Sequence, residues 1–109
     1  MSEITKNEEF MARAIELSEQ NIKNGGGPFG AVIVKDGKII AEGTNRVTDE
    51  NDPTSHAEIN AIKEVQSILG TYDLSKYQLS LYITAEPCMM CIGAILWSGI
   101  KEVYYGVPS

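Results

Sequence analysis

Histidine and cysteine are nearly absent from this chain: one histidine and two cysteines in 109 residues. The two cysteines are spaced as CxxC and no export signal precedes them, so they point to metal or redox chemistry in a reducing compartment. No apolar run reaches the roughly 18 residues a membrane helix needs, which excludes a spanning helix and predicts no membrane partner. The start, Met1-Ser2-Glu3-Ile4-Thr5-Lys6, lacks a basic stretch followed by an apolar core and is not a secretory signal. A cytoplasmic location is the resulting expectation. Basic residues are also scarce, nine against fifteen acidic ones, for a net charge of −6. Tight nucleic-acid binders usually carry a basic face. The balance therefore favours a small uncharged substrate over a polyanion, without closing off a local basic groove. Internal repeats, low-complexity segments and linkers are missing as well. A single domain over residues 1–109 is expected, with one modest core.

Hydrophobic periodicity orders the chain. Residues from about Thr5 to Asn24 read as an amphipathic helix, with Phe10, Ala14 and Leu17 on one face and Met11, Ile15 and Ile22 beside them. Gly25-Gly26-Gly27-Pro28 ends it. Ala31-Val32-Ile33-Val34 is a short strand, Asp36-Gly37 a tight turn, and Ile39-Ile40-Ala41 a returning strand. Asn45 to Pro53 reads as a loop. A second helix starts near Ser55, buries Ile59, Ile62, Val65 and Leu69, and stops at Gly70. Leu79 to Thr84 reads as a strand. Pro87 opens a third helix, nearly all apolar through Trp97, which predicts burial on most sides. Val103-Tyr104-Tyr105 is a last strand. The order α-β-β-α-β-α-β argues for an α/β domain of three layers, α-β-α, around a mixed central sheet.

The histidine and both cysteines fall at the starts of the second and third helices, as His56-Ala57-Glu58 and Pro87-Cys88-Met89-Met90-Cys91. Cys88 and Cys91, three apart, share a helix face and can grip one ion. Partial positive charge at helix N-termini favours thiolate and disfavours imidazolium. Two thiolates and a neutral imidazole balance Zn²⁺, and three protein ligands leave the fourth tetrahedral position to water, as in catalytic sites. Such an ion can bring the pKa of water toward about 7. Glu58, two residues past His56, is placed to move protons and not to bind metal. Plainer readings exist for each residue. Ser55-His56-Ala57-Glu58 fits a helix capping box. A lone CxxC fits a thiol-disulfide pair. The three ligands also fit a non-catalytic, zinc-stabilised module.

The combination His-x-Glu and Pro-Cys-x-x-Cys is the signature of zinc-dependent base deaminases. With Gly27-Pro28-Phe29-Gly30-Ala31-Val32-Ile33-Val34, Asn51-Asp52-Pro53-Thr54-Ser55 and Ile92-Gly93-Ala94-Ile95 around it, the chain resembles the cytidine deaminase-like superfamily. Within it, the similarity is to the branch holding guanine deaminases and tRNA adenosine deaminases. The resemblance implies Zn²⁺ on His56, Cys88 and Cys91, with Glu58 catalytic. It implies that Phe29 stacks on the base and Asn45 bonds the base edge. It further implies that the Ala57 N–H binds the ring carbonyl, the Glu86 carbonyl orients the attacking water or leaving amine, and Trp97 closes the pocket. The implied activity is hydrolytic deamination of a nucleobase, guanine to xanthine first. Deamination of tRNA adenosine, or of cytosine or a nucleoside, stands as the alternative. The branch's further C-terminal elements are not found after Val103-Tyr104-Tyr105, and these normally carry substrate-selecting groups. A homodimer is expected, from the apolar third helix and the edge position of the last strand and from the resemblance itself.

Overall fold

The computed structural model describes residues 3–85 and 87–107. Eight elements follow one another: α1 (Glu3–Lys23), β1 (Gly30–Lys35), β2 (Lys38–Thr44), α2 (Val47–Glu50), α3 (Ala57–Leu69), β3 (Leu79–Ala85), α4 (Met89–Ser98) and β4 (Glu102–Val107). The sheet order is β2-β1-β3-β4. β1 is antiparallel to β2 and to β3, while β3 and β4 are parallel. The expected mixed sheet is present, with β4 at one edge. The Asp36-Gly37 turn works because both residues take positive φ, 52° and 76°.

β1 is apolar from Ala31 to Val34 because it is covered on both faces, and it turns polar at Lys35 at its end. Val32 and Val34 point to α1, where they meet Phe10, Ala14 and Leu17, with Tyr82 of β3 in the same cluster. Ala31 and Ile33 point the other way, into a larger core with Ala57, Ala61, Ile62 and Val65 of α3, Leu81 and Ile83 of β3, and Ile95 of α4. Three layers result: α1, the sheet, then α3 with α4. Tyr82 lies between Phe10 and Tyr104, with ring centroids 5.3 and 4.8 Å away.

Two glycines let helix backbones touch the sheet. A methyl group at Gly30 would strike the Ala14 carbonyl and the Ser18 N–H of α1. One at Gly43 would strike the Ala57 carbonyl and the Ala61 N–H of α3. The side chain is excluded by backbone on the other side, so neither neighbour can rotate away. Gly43→Ala should therefore push the start of α3 off β2 and cost about 1–3 kcal/mol. A urea midpoint lowered at constant m-value is the check.

Several boundaries and faces differ from expectation. Asn45 to Pro53 contains the single turn α2, closed by Asn51 at φ 52°. Ile15 and Ile22 are exposed, and the buried stripe of α1 continues from Leu17 into Ser18 and Asn21. Ile59 and Leu69 are only half-buried, and Ala57, Ala61, Ile62 and Val65 form the inner face of α3. The third expected helix, α4, is not enclosed. It buries Cys91, Ile95 and Ser98, while Met89, Leu96 and Trp97 are 89%, 75% and 86% exposed. Among the described residues, α3 is the helix beside it in its layer. No helix among the described residues is long and apolar enough to cross a membrane.

Candidate metal centre and pocket

His56 and Cys88 are the N-cap residues of α3 and α4, one position before the first turns expected to hold them. Both have extended backbones (φ −81°, ψ 159° and φ −74°, ψ 172°), and neither side chain caps its own helix. Each is thereby free to turn toward the other. Cys91 enters from the first turn of α4 and is fully buried. His56 Nδ1 lies 3.7 Å from Cys88 Sγ and 3.5 Å from Cys91 Sγ. The three ligand atoms all lie within 4.8 Å of one another. Zn–S near 2.3 Å and Zn–N near 2.0–2.1 Å, at tetrahedral angles, put sulfur and nitrogen about 3.6 Å apart. The donor set and its spacing fit Zn²⁺.

Burial pushes the Cys91 thiol far above its usual range, and the nearby Glu58 carboxylate adds to the effect. For this residue, desolvation overrides the helix N-terminal field that the sequence pattern leads one to expect to favour thiolate. A bound cation reverses that balance, since a coordinating thiol is deprotonated.

Glu58 is the second residue of α3 and 8% exposed. The capping box does not form. The N-cap is His56, the Ser55 N–H donates to the Asp52 carbonyl, and the Ser55 hydroxyl donates to Glu50 at 2.7 Å. Glu58 lines a cleft of about 280 Å³ together with His56 and Cys88.

The other walls of the cleft come from four element ends. Phe29 and Gly30 enter at the start of β1, and Asn45 follows the end of β2. Ala57 opens α3, and Ile83, Thr84 and Ala85 end β3. Phe29 is part-exposed at the cleft, not in the core. The Asn45 Oδ1 accepts the Val47 N–H at 3.2 Å, which leaves its amide N–H₂ as the group to offer a ligand. Ala57, at the first position of α3, has an N–H without an intrahelical partner by its place in the helix. Glu86 lies outside the described residues. Trp97 does not line the cleft. It sits nine residues after Cys88, about 13 Å along the helix axis, on the solvent side.

The sequence pattern did not single out Thr84, whose hydroxyl accepts the Gly30 N–H at 3.3 Å and ties β3 to the Phe29 loop. Nor did it single out Asn60. Its amide donates to the Thr44 carbonyl at 2.8 Å and to the Ser55 hydroxyl at 3.0 Å, joining the residues just before Asn45 and His56. Only a polar residue on the inner side of α3 could have hinted at this.

Residues 4–107 match the model of the cytidine and deoxycytidylate deaminase zinc-binding region. The chain is 54% identical over 99 residues to the guanine deaminase of Bacillus subtilis, covering 90% of this chain and 62% of that protein. It superposes on that enzyme's X-ray structure with a TM-score of 0.87, over 99% of this chain and 66% of that one. It is 43% identical over 103 residues to the tRNA-specific adenosine deaminase of Haemophilus influenzae, covering 91% of this chain and 57% of that protein. A crystal structure of NE0047 in complex with 2,6-diaminopurine gives a TM-score of 0.91 at 40% identity, over 94% of this chain and 57% of that one. The chain thus spans about three-fifths of the length of these relatives.

Proposed function

This chain belongs to the cytidine and deoxycytidylate deaminase zinc-binding family, and from that premise we propose that it deaminates a free purine base by hydrolysis. Guanine is the first candidate: water adds at the carbon bearing the exocyclic amine, ammonia leaves, and xanthine remains. The observation that carries the reading is the placement of Glu58, a buried carboxylate in the same cleft as the three-ligand group, without a capping role. When bound, Zn²⁺ supplies the activation of water at neutral pH.

The residues divide the remaining work. Glu58 takes a proton from the attacking water and gives it to the ring nitrogen, then carries the proton of the added hydroxyl to the departing amine as the carbonyl forms. Phe29 covers one face of the ring. The Asn45 amide N–H₂ donates to an acceptor on the base edge, and the Ala57 N–H donates to the ring carbonyl. The Glu86 carbonyl receives the water or the leaving amine. Guanine is favoured by the 54% identity to a guanine deaminase and by the acid excess of the chain.

A second reading, deamination of adenosine in tRNA, draws on the 43% identity to a tRNA-specific enzyme. Ammonia release from guanine, adenine, cytosine, their nucleosides and a tRNA anticodon hairpin separates the two. Turnover of guanine well above the rest supports the first, and turnover of the hairpin alone would replace it. A reducing, cytoplasmic setting goes with either reading, because both need free thiols.

The assembly proposed is a homodimer through α4. Pro87, Ile92, Ile95, Leu96, Val103 and Tyr105 line an apolar groove, with Trp97 and Met89 exposed on the same helix. β4 lies beside it as an edge strand. Light scattering at micromolar concentration should give about twice 11.9 kDa. A mass that stays at the single-chain value on concentration would remove the dimer.

A further inference from the structure

We propose that Asn21, on α1 and outside the cleft, is a positioning residue that sets the spacing between the base-stacking and base-reading walls. The inference rests on the base-binding reading of the cleft given above.

Phe29 and Asn45 stand just beyond the last paired residues of the β1–β2 ladder, Gly30 and Thr44. One backbone bond joins them, from the Asn45 N–H to the Phe29 carbonyl, at a long 3.4 Å. Past this point the two segments diverge into loops and the sheet can no longer hold them together. The Asn21 amide takes over there. Its Nδ2 donates to the Gly27 carbonyl at 2.9 Å and to the Asn45 carbonyl at 2.8 Å. Both N–H bonds of one rigid, planar group are used, so the two carbonyls are held in fixed relation to each other. Asn21 itself is 8% exposed. Its own backbone carbonyl accepts the Gly26 N–H at 2.8 Å, which folds the glycine turn onto the side chain. A methyl at Gly26 would collide with that amide.

The consequence is directional. The Asn45 side chain is already pinned by the Val47 N–H. With its backbone carbonyl pinned by Asn21, the remaining amide N–H₂ is aimed without rotamer freedom. Loss of the Asn21 donors frees both walls while leaving His56, Cys88 and Cys91 on α3 and α4 untouched. Base affinity falls and metal affinity does not.

The test compares wild-type Asn21 with Asn21→Asp, which keeps the shape but presents two carboxylate oxygens to two carbonyls, and with Asn21→Ala in case the acid prevents folding. Binding of 2,6-diaminopurine to zinc-loaded protein is measured by calorimetry in a Glu58→Gln background, so that turnover does not intervene. The Kd should rise about tenfold or more, with zinc still at one per chain. Amide exchange at Phe29 and Gly30 and at Asn45–Val47 should accelerate, with that of α3 unchanged. Val34→Ala is the control. It lies on the same α1–β1 seam, four residues from Gly30, and should lower the melting temperature without changing the Kd. An Asn21 variant with unchanged Kd and unchanged exchange overturns the positioning role. Equal loss of affinity in Val34→Ala would reduce Asn21 to a general stabiliser and also overturn it. Failure of the Asn21-containing protein to bind the purine overturns the base-binding reading itself, whereas binding that survives in the Asn21 variants overturns the clamp alone.

Discussion

Glu58→Gln leaves one zinc per chain bound and lowers deamination by at least about 10²-fold and up to about 10⁴-fold, the range of a positioned acid or base. The upper end is expected, because the same carboxylate acts in both directions of the proton traffic. Glutamine fills the same space, so the cleft keeps its shape. Stability should not fall. Glu58 is not part of a cap, and removing a buried negative charge relieves desolvation. Thermal melting with zinc content and ammonia release, all on one preparation, checks the three claims together. Loss of zinc in step with activity would make Glu58 a structural residue.

Cys88→Ala has the second large expected effect. It should reduce zinc affinity by more than the roughly 10–100-fold that even an outer-shell partner is worth. Cys88 is the informative cysteine because it is exposed. Truncating it leaves no cavity, whereas Cys91 is fully buried and its loss would combine metal and packing effects. In the wild type, zinc at about 1,000 times its Kd adds about 4.1 kcal/mol to stability by mass action. In Cys88→Ala the melting temperature should hardly respond to added zinc. Full zinc occupancy of Cys88→Ala after dialysis against a chelator would remove this residue from the ligand set.

The metal ligands were legible in the sequence because they are set locally. A three-residue spacing on one helix and an extended residue at each helix start need no knowledge of the rest of the chain. The sheet was legible for a similar reason. β1 is apolar from Ala31 to Val34, and the Asp36-Gly37 turn fixes its pairing with β2. What escaped depended on partners distant in sequence. Composition marked α4 as apolar but could not say what covers it, and only α3 lies beside it. Trp97 was named from the resemblance alone, and within the single chain it is exposed and away from the cleft. The stripe of α1 was misread at Ile15 and Ile22 because its inner face turns polar at Ser18 and Asn21. Asn21 reaches a residue 24 positions away and Asn60 one 16 positions away. No local pattern encodes such bonds. The burial that raises the Cys91 pKa in the absence of a cation was likewise out of reach, because the helix field is visible from sequence and the depth of burial is not.

The central claim is that the three-ligand group and Glu58 form one catalytic unit. Zinc titrated into metal-free protein, with ammonia release from guanine followed at each step, tests it most directly. The account predicts a rate that rises in proportion to bound zinc, saturates at one ion per chain, and yields one xanthine per ammonia. Zinc binding that saturates at one per chain with no ammonia from any base would contradict it and leave the ion a structural one.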